Sequence, residues 1–105
     1  MKTSHNILGK TYHIENVENI YDEISTLDFH KNISEEVTRL DEDLFQLSFN
    51  DGVIIDIGWY PSFDINGEFI IQVISGGDWE TPSIKISSGW DKNDLIKKLS
   101  GILQQ

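Results

Sequence analysis

A chain of 105 residues has room for one domain, and 38% apolar content with three Trp and five Phe is too rich for a disordered polypeptide. Eighteen acids against eight bases leave a net charge of −10, which disfavours nucleic acid and anionic lipid as direct partners. No cysteine is present, which excludes disulfides and thiolate metal sites; no apolar run approaches the roughly 18–20 residues of a membrane helix, and Met1–Asn6 lacks the apolar core of a secretory signal, so a cytoplasmic protein is expected.

No repeat and no Gly/Ser linker divides the sequence, so a single domain over 1–105 is expected. Gly9 and Lys10-Thr11-Tyr12 read as a short extended entry. Residues 14–27 read as a helix. Ile14, Val17, Ile20, Tyr21, Ile24 and Leu27 recur at intervals of three and four, while Glu15, Glu18, Asp22 and Glu23 fall on the other side. From residue 34 the period changes to two, and Val37 and Leu40 lie in an acidic stretch that reads as an edge strand, closed by a turn at Asp41-Glu42-Asp43. Phe45, Leu47 and Phe49 alternate with Gln46 and Ser48 as a half-buried strand. Asn50-Asp51-Gly52 supplies the left-handed residues of a tight hairpin. Val53, Ile55, Ile57 and Trp59 continue the alternation on the returning strand, with Ile54, Asp56 and Tyr60 on its other face, until Pro61 ends it. Asp64-Ile65-Asn66-Gly67 is a second hairpin signal. The next strand carries Phe69, Ile71 and Val73 on one face and Ile70 and Ile74 on the other, as a strand covered twice does. Gly76-Gly77-Asp78 turns the chain into a last short strand at Ser83–Ser88. Residues 91–104 return to helix. Asp91 stands as the cap, with Asp94 in capping-box position, and Leu95, Ile96, Leu99, Ile102 and Leu103 form the apolar face. The fold class is therefore α+β: an antiparallel meander sheet of four to five strands flanked by an N-terminal and a C-terminal helix, both packed on the sheet.

Charge is distributed unevenly along these elements. Residues 15–80 hold sixteen acids against Lys31 and Arg39, a net −14, while residues 1–14 and 81–105 each carry +2. Signals of catalysis are weak by comparison. His5, His13 and His30 have no metal-ligand spacing, and neither a nucleophile elbow nor a phosphate-cradling glycine pattern occurs, so no metal, cofactor or catalytic residue is expected. The aromatics Trp59, Tyr60, Phe63, Trp79 and Trp90 fall at strand ends and turns. Trp90 reads as a rim cap of the core. Trp59-Tyr60 and Asp78-Trp79-Glu80 set aromatics beside acids, as a surface for a basic partner does.

A motif runs through the middle of the chain: Asp51-Gly52, then Ile55-Asp56-Ile57-Gly58-Trp59-Tyr60-Pro61, Phe63-Asp64, Asn66-Gly67-Glu68-Phe69, Val73-Ile74 and Asp78-Trp79-Glu80-Thr81-Pro82. Over this central third the sequence resembles small immunity proteins of bacterial contact-dependent growth inhibition and related polymorphic toxin systems. The resemblance implies a cytoplasmic antidote that binds the C-terminal toxin domain of a delivered effector, commonly a nuclease, and blocks its active site by occupancy. The acidic segment suits a basic, phosphate-binding cleft. The residues expected at the contact are Glu35, Glu36, Asp41, Glu42, Asp43, Asp56, Asp64, Asp78 and Glu80, with Trp59, Tyr60 and Trp79 as anchors. Two other readings stand beside this one. A small enzyme or carbohydrate-binding domain would use Trp59 with Asp56 or Asp64 in a concave pocket, and an acidic adaptor would mimic nucleic acid.

Overall fold

The computed structural model describes residues 1–105. Seven strands are formed: β1 (Lys2–Ile7), β2 (Lys10–Glu15), β3 (Val17–Asp22), β4 (Phe45–Phe49), β5 (Ile54–Tyr60), β6 (Glu68–Ile74) and β7 (Ile84–Ser88). Two α-helices accompany them, α1 (Ile33–Glu36) and α2 (Lys92–Leu103). The fold is α+β. β3 to β7 lie in sequence order in one antiparallel sheet of five strands, and β1 and β2 form a separate hairpin.

Alternation explains the sheet. Cross-strand rows Phe45–Ile57–Ile71 and Leu47–Ile55–Val73 turn one face inward, and all six side chains are buried. Ile7, Leu8, Tyr12 and Ile14 of the hairpin and Leu95 and Leu99 of α2 share one core with this face. Aromatic rings fill one end of that core. Trp59 meets Phe69 edge to face at 4.8 Å, and Phe29 stacks on Trp90 at 4.5 Å. Trp90 closes the rim as its position suggested, and its Nε1 donates to the Lys31 carbonyl at 3.0 Å.

The helix expected over residues 14–27 is absent. Its first residues finish β2, its middle is β3, and only Ile24–Thr26 winds into a single 3-10 turn. Two local irregularities imitate helical spacing. Asn16 adopts a left-handed φ of 61° between β2 and β3, and a bulge shifts the register between Val17 and Asn19. One extra residue on a strand brings Val17 and Ile20, three apart, to the same side. The edge strand expected from residue 34 is also absent. Residues 33–36 form α1, and Val37–Arg39 continues as a 3-10 turn. Glu35 accepts a hydrogen bond from the Asn32 N–H at 3.1 Å, which fixes the first turn of α1. Buried Glu36 pairs with Arg39 at 2.8 Å and accepts from the Asp28 N–H. The helical expectation near the N-terminus and the strand expectation at 34–40 are thus exchanged, so α2 is the long helix packed on the core. Asp91 caps α2 by accepting from the Asp94 N–H, but Asp94 does not return the bond. Its carboxylate takes Ser88 Oγ at 2.8 Å and Lys98 Nζ at 2.7 Å.

The Asp41–Asp43 turn is a detour in the β4–β5 ladder. The register that pairs Phe45 with Ile57 would set Asp43 opposite Trp59, yet the Trp59 N–H donates to the Asp41 carbonyl at 2.8 Å. Two residues are therefore looped out, and the Glu42 backbone crosses Gly58. A Cβ on Gly58 would collide with the Glu42 carbonyl, so only glycine fits beneath this crossing. Gly58→Ala is expected to destabilise the fold by about 1–3 kcal/mol. Gly101→Ala, exposed on α2 with open space around it, is expected to stabilise by about 0.5–1 kcal/mol. Urea unfolding of the two variants beside the parent reads both.

Candidate functional site

The outer face of the sheet, opposite the core, carries the even-numbered side chains of β5: Ile54, Asp56 and Tyr60, with Gly58 between. Asp56 stands in a cross-strand row with Tyr21, Gln46 and Gln72, and the row ends at Lys85 on β7. The looped-out segment lays Asp43 beside this row. Tyr21, Asp43, Phe45, Gln46 and Asp56 line a cleft of about 340 Å³. A second depression of about 220 Å³ shares Tyr21 and Asp43 and adds Glu23, Asp41 and Arg39. The two form one acidic shelf along β3 and the 41–44 segment.

Asp56 is the unusual member. It is only 7% exposed, yet it accepts no hydrogen bond from the chain. No fully buried side-chain polar atom of the protein lacks a partner, so the Asp56 carboxylate oxygens must reach the cleft. Burial raises its pKa to about 6, and the neighbouring Asp43 charge adds to the rise. Both tyrosines of the shelf respond to the same field. Partial desolvation, then Glu23, Asp41 and Asp43, push the Tyr21 phenol upward; desolvation, then Asp56, Glu42 and Asp43, do the same to Tyr60. Arg39 does not neutralise the group, because its guanidinium is engaged by Glu36, the Thr26 carbonyl and the Thr26 hydroxyl.

Of the residues expected at a contact, Asp41, Glu42, Asp43, Asp56 and Tyr60 come together here. Others are placed differently. Trp59 is fully buried, with Nε1 donating to the Asp64 carbonyl at 2.8 Å, so it anchors the core and offers no surface to a partner. Glu36 is buried in its ion pair, and Glu35 caps α1. The Asp64 carboxylate shapes its own turn by accepting from the Asn66 N–H. Asp78, Trp79 and Glu80 lie on the β6–β7 loop, beyond the Ile54–Ile74 end of the sheet. That end is about 15 Å along β5 from the Trp59 crossing. Hydrogen bonds from the Thr81 hydroxyl and the Thr81 and Glu80 N–H groups hold the Asp78 carboxyl below the usual range, so it organises its own loop. Trp79 remains 45% exposed there.

Strand parity also separates the set required by the carbohydrate or enzyme reading. Trp59 faces the core while Asp56 faces outward, and the cleft that holds Asp56 holds neither Trp59 nor Asp64. The largest cleft, about 760 Å³, lies elsewhere, between the β4–β5 turn and the end of α2, with Phe49, Val53, Ile84, Ile102 and Leu103 on its walls. No group of three or more His, Asp or Glu side chains is arranged to hold a metal ion. His5 and His13 bond to Thr3 and Ser4 on the hairpin surface, away from the shelf.

Two shelf residues were not assigned to it by sequence reasoning, and two exposed apolar residues lie on a connection bonded to its neighbour Leu40. Tyr21 and Glu23 were hidden by the helical reading of residues 14–27. Phe63 and Ile65, exposed by 58% and 53%, sit on the β5–β6 connection. The Phe63 N–H donates to the Leu40 carbonyl at 2.7 Å, which ties this apolar tip to the start of the acidic segment.

The raised pKa of Asp56 sets a sign for stability. Its folded value lies above its unfolded value of about 3.9, so the folded state holds a proton that the unfolded state has lost as pH rises from about 4 to 6. Stability drawn from this group is therefore present at acidic pH and lost on the way to pH 7. Asp56→Asn is expected to be more stable than the parent at pH 7 by on the order of 2 kcal/mol, with the difference vanishing below pH 4. Paired thermal or urea melts across that range measure it, and a variant less stable at pH 7 would contradict the assignment. Set against protein-family models, curated proteins and solved structures, the chain matches none of them.

Proposed function

We propose that this chain is a binding module for a basic protein partner, and that the partner is the toxin domain of a cognate contact-dependent inhibition effector. The chain holds that domain inactive in the cytoplasm by covering its active site. The observation that carries the reading is the acidic shelf, where five carboxylates and two tyrosines converge and no free cation of the chain answers them. The resemblance across residues 51–82 supports the choice of partner. No helix is long and apolar enough to cross a membrane.

The arrangement suits capture followed by seating. Exposed Glu42 and Asp43 set the long-range field, and such a field raises association rates by about 10–1,000-fold at low salt. Phe63 and Ile65, exposed on the β5–β6 connection, offer apolar area that becomes dry on contact, where most interface energy resides. A nuclease needs a basic cleft for phosphate, and the shelf competes for that cleft with the same sign of charge.

The test is co-production with a candidate toxin domain from the neighbouring reading frame, then kinetics on the purified pair. Glu42→Lys with Asp43→Lys is expected to slow association about tenfold or more and to flatten its dependence on salt. Phe63→Ala is expected to speed dissociation, at a cost of about 2 kcal/mol in affinity. A partner that binds the charge-reversed protein at the parental rate and salt slope would defeat the proposal.

A further inference from the structure

We infer that the cleft formed by Tyr21, Asp43, Gln46 and Asp56 seats a guanidinium group, an arginine side chain presented by the partner. The inference rests on the basic-partner reading and names the chemistry of its central contact.

Burial and bonding of Asp56 carry the argument. An aspartate buried over more than nine-tenths of its surface ordinarily has a cation or several donors at its carboxylate. Asp56 has neither within the chain, and its oxygens open on the cleft. The groups facing it come from every element around it. β3 supplies Tyr21, β4 Gln46, β6 Gln72, β5 itself Tyr60, and the looped-out segment Glu42 and Asp43. All of these are neutral or negative at pH 7. The nearest base in its row is Lys85, two strands away or roughly 10 Å. The folded chain therefore keeps a destabilising charge at the floor of a cleft with a second carboxylate, Asp43, at its wall. A cation from outside removes that cost.

Shape selects guanidinium over ammonium. The lining includes two carboxylates, Asp43 and Asp56, with the Gln46 amide and the Tyr21 ring beside them. A planar fork of N–H donors bonds to both carboxylates at once and lays its face on an aromatic ring. An ammonium is more strongly hydrated and loses more water on entering a site that is already largely desolvated. The cleft volume of about 340 Å³ admits the end of an arginine side chain.

The experiment titrates the ¹⁵N-labelled protein with N-acetyl-arginine-methylamide and, separately, with N-acetyl-lysine-methylamide, at pH 7.5 and pH 5. The arginine probe is expected to shift amide signals at Tyr21, Gln46 and Asp56 and to lower the titration midpoint of the Asp56 carboxyl. Its binding is expected to weaken about tenfold at pH 5, where about one Asp56 in ten is ionised. The lysine probe is expected to bind several-fold more weakly. Asp56→Asn, with a thermal melt to show that it is folded, is expected to abolish the localised shifts, and Asp43→Asn to weaken binding without abolishing it. Diffuse shifts, equal binding at both pH values, equal binding by the two probes, or full binding by Asp56→Asn would each overturn the inference. A toxin domain that binds Asp56→Asn at parental affinity yet loses affinity for the Glu42→Lys, Asp43→Lys protein would overturn the arginine seat and leave the basic-partner reading intact.

Discussion

Side chains leave a β-strand alternately to its two faces, and β5 builds both the core and the cleft from that constraint. Ile55, Ile57 and Trp59 go inward to the buried rows, and Asp56 and Tyr60 go outward to the acidic shelf. Gly58, between the outward pair, has no side chain, and the Glu42 backbone occupies the space one would take. The core holds the strand in register, and the register delivers Asp56 to the cleft floor. A slip of one residue would bury Asp56 among the aromatic rings and expose Trp59, so packing of the core is what positions the charge.

Acidity in this chain has two separate uses. Many of its aspartates are consumed by local backbone. Asp22 accepts from the Ser25 N–H, Asp51 from Val53, Asp64 from Asn66, Asp78 from Glu80 and Thr81, and Asp91 from Asp94. These carboxylates form turns and caps, and turns are frequent in a meander of short strands. Glu36 and Asp94 are engaged by Arg39 and Lys98. At the shelf, Asp41 likewise accepts from the Asp43 N–H at 2.9 Å, whereas Asp43 and Asp56 make no such side-chain bond. The local tasks account for much of the composition; at the shelf, desolvation first and then the charges of the clustered carboxylates raise the Asp56 carboxyl and the two tyrosines.

Legibility in the sequence followed regularity. From Phe45 to Ser88 the alternation is strict, and Asn50-Asp51-Gly52, Pro61 and Gly76-Gly77 punctuate it, so four strands and their turns were readable. The same alternation already grouped Trp59 with Ile55 and Ile57, and its exposure was a misreading of its place at a strand end. The N-terminal third was not readable in the same way. β1 is polar, with only Ile7 buried, and its hairpin turns on Leu8, a residue whose left-handed φ of 55° has no compositional signal. A bulge and a left-handed asparagine then gave β3 the spacing of a helix. The site inherited this split. Asp41, Glu42, Asp43 and Asp56 were found as charges, whereas Tyr21 on β3 and Glu23 just after it were lost in the helical reading.

The crossing over Gly58 has a consequence for how such a surface changes over generations. The 41–44 segment is held to β5 by main-chain atoms: the Asp41 carbonyl, the Leu44 N–H and the fit of the Glu42 peptide against a glycine. The side chains of Glu42 and Asp43 are exposed, Asp43 at the wall of the cleft, and make no hydrogen bond that holds the segment to β5. Their identities are therefore decoupled from the fold. Substitutions there change the charge of the exposed surface, and under the proposed function the choice of partner, while Gly58 keeps the scaffold beneath them constant.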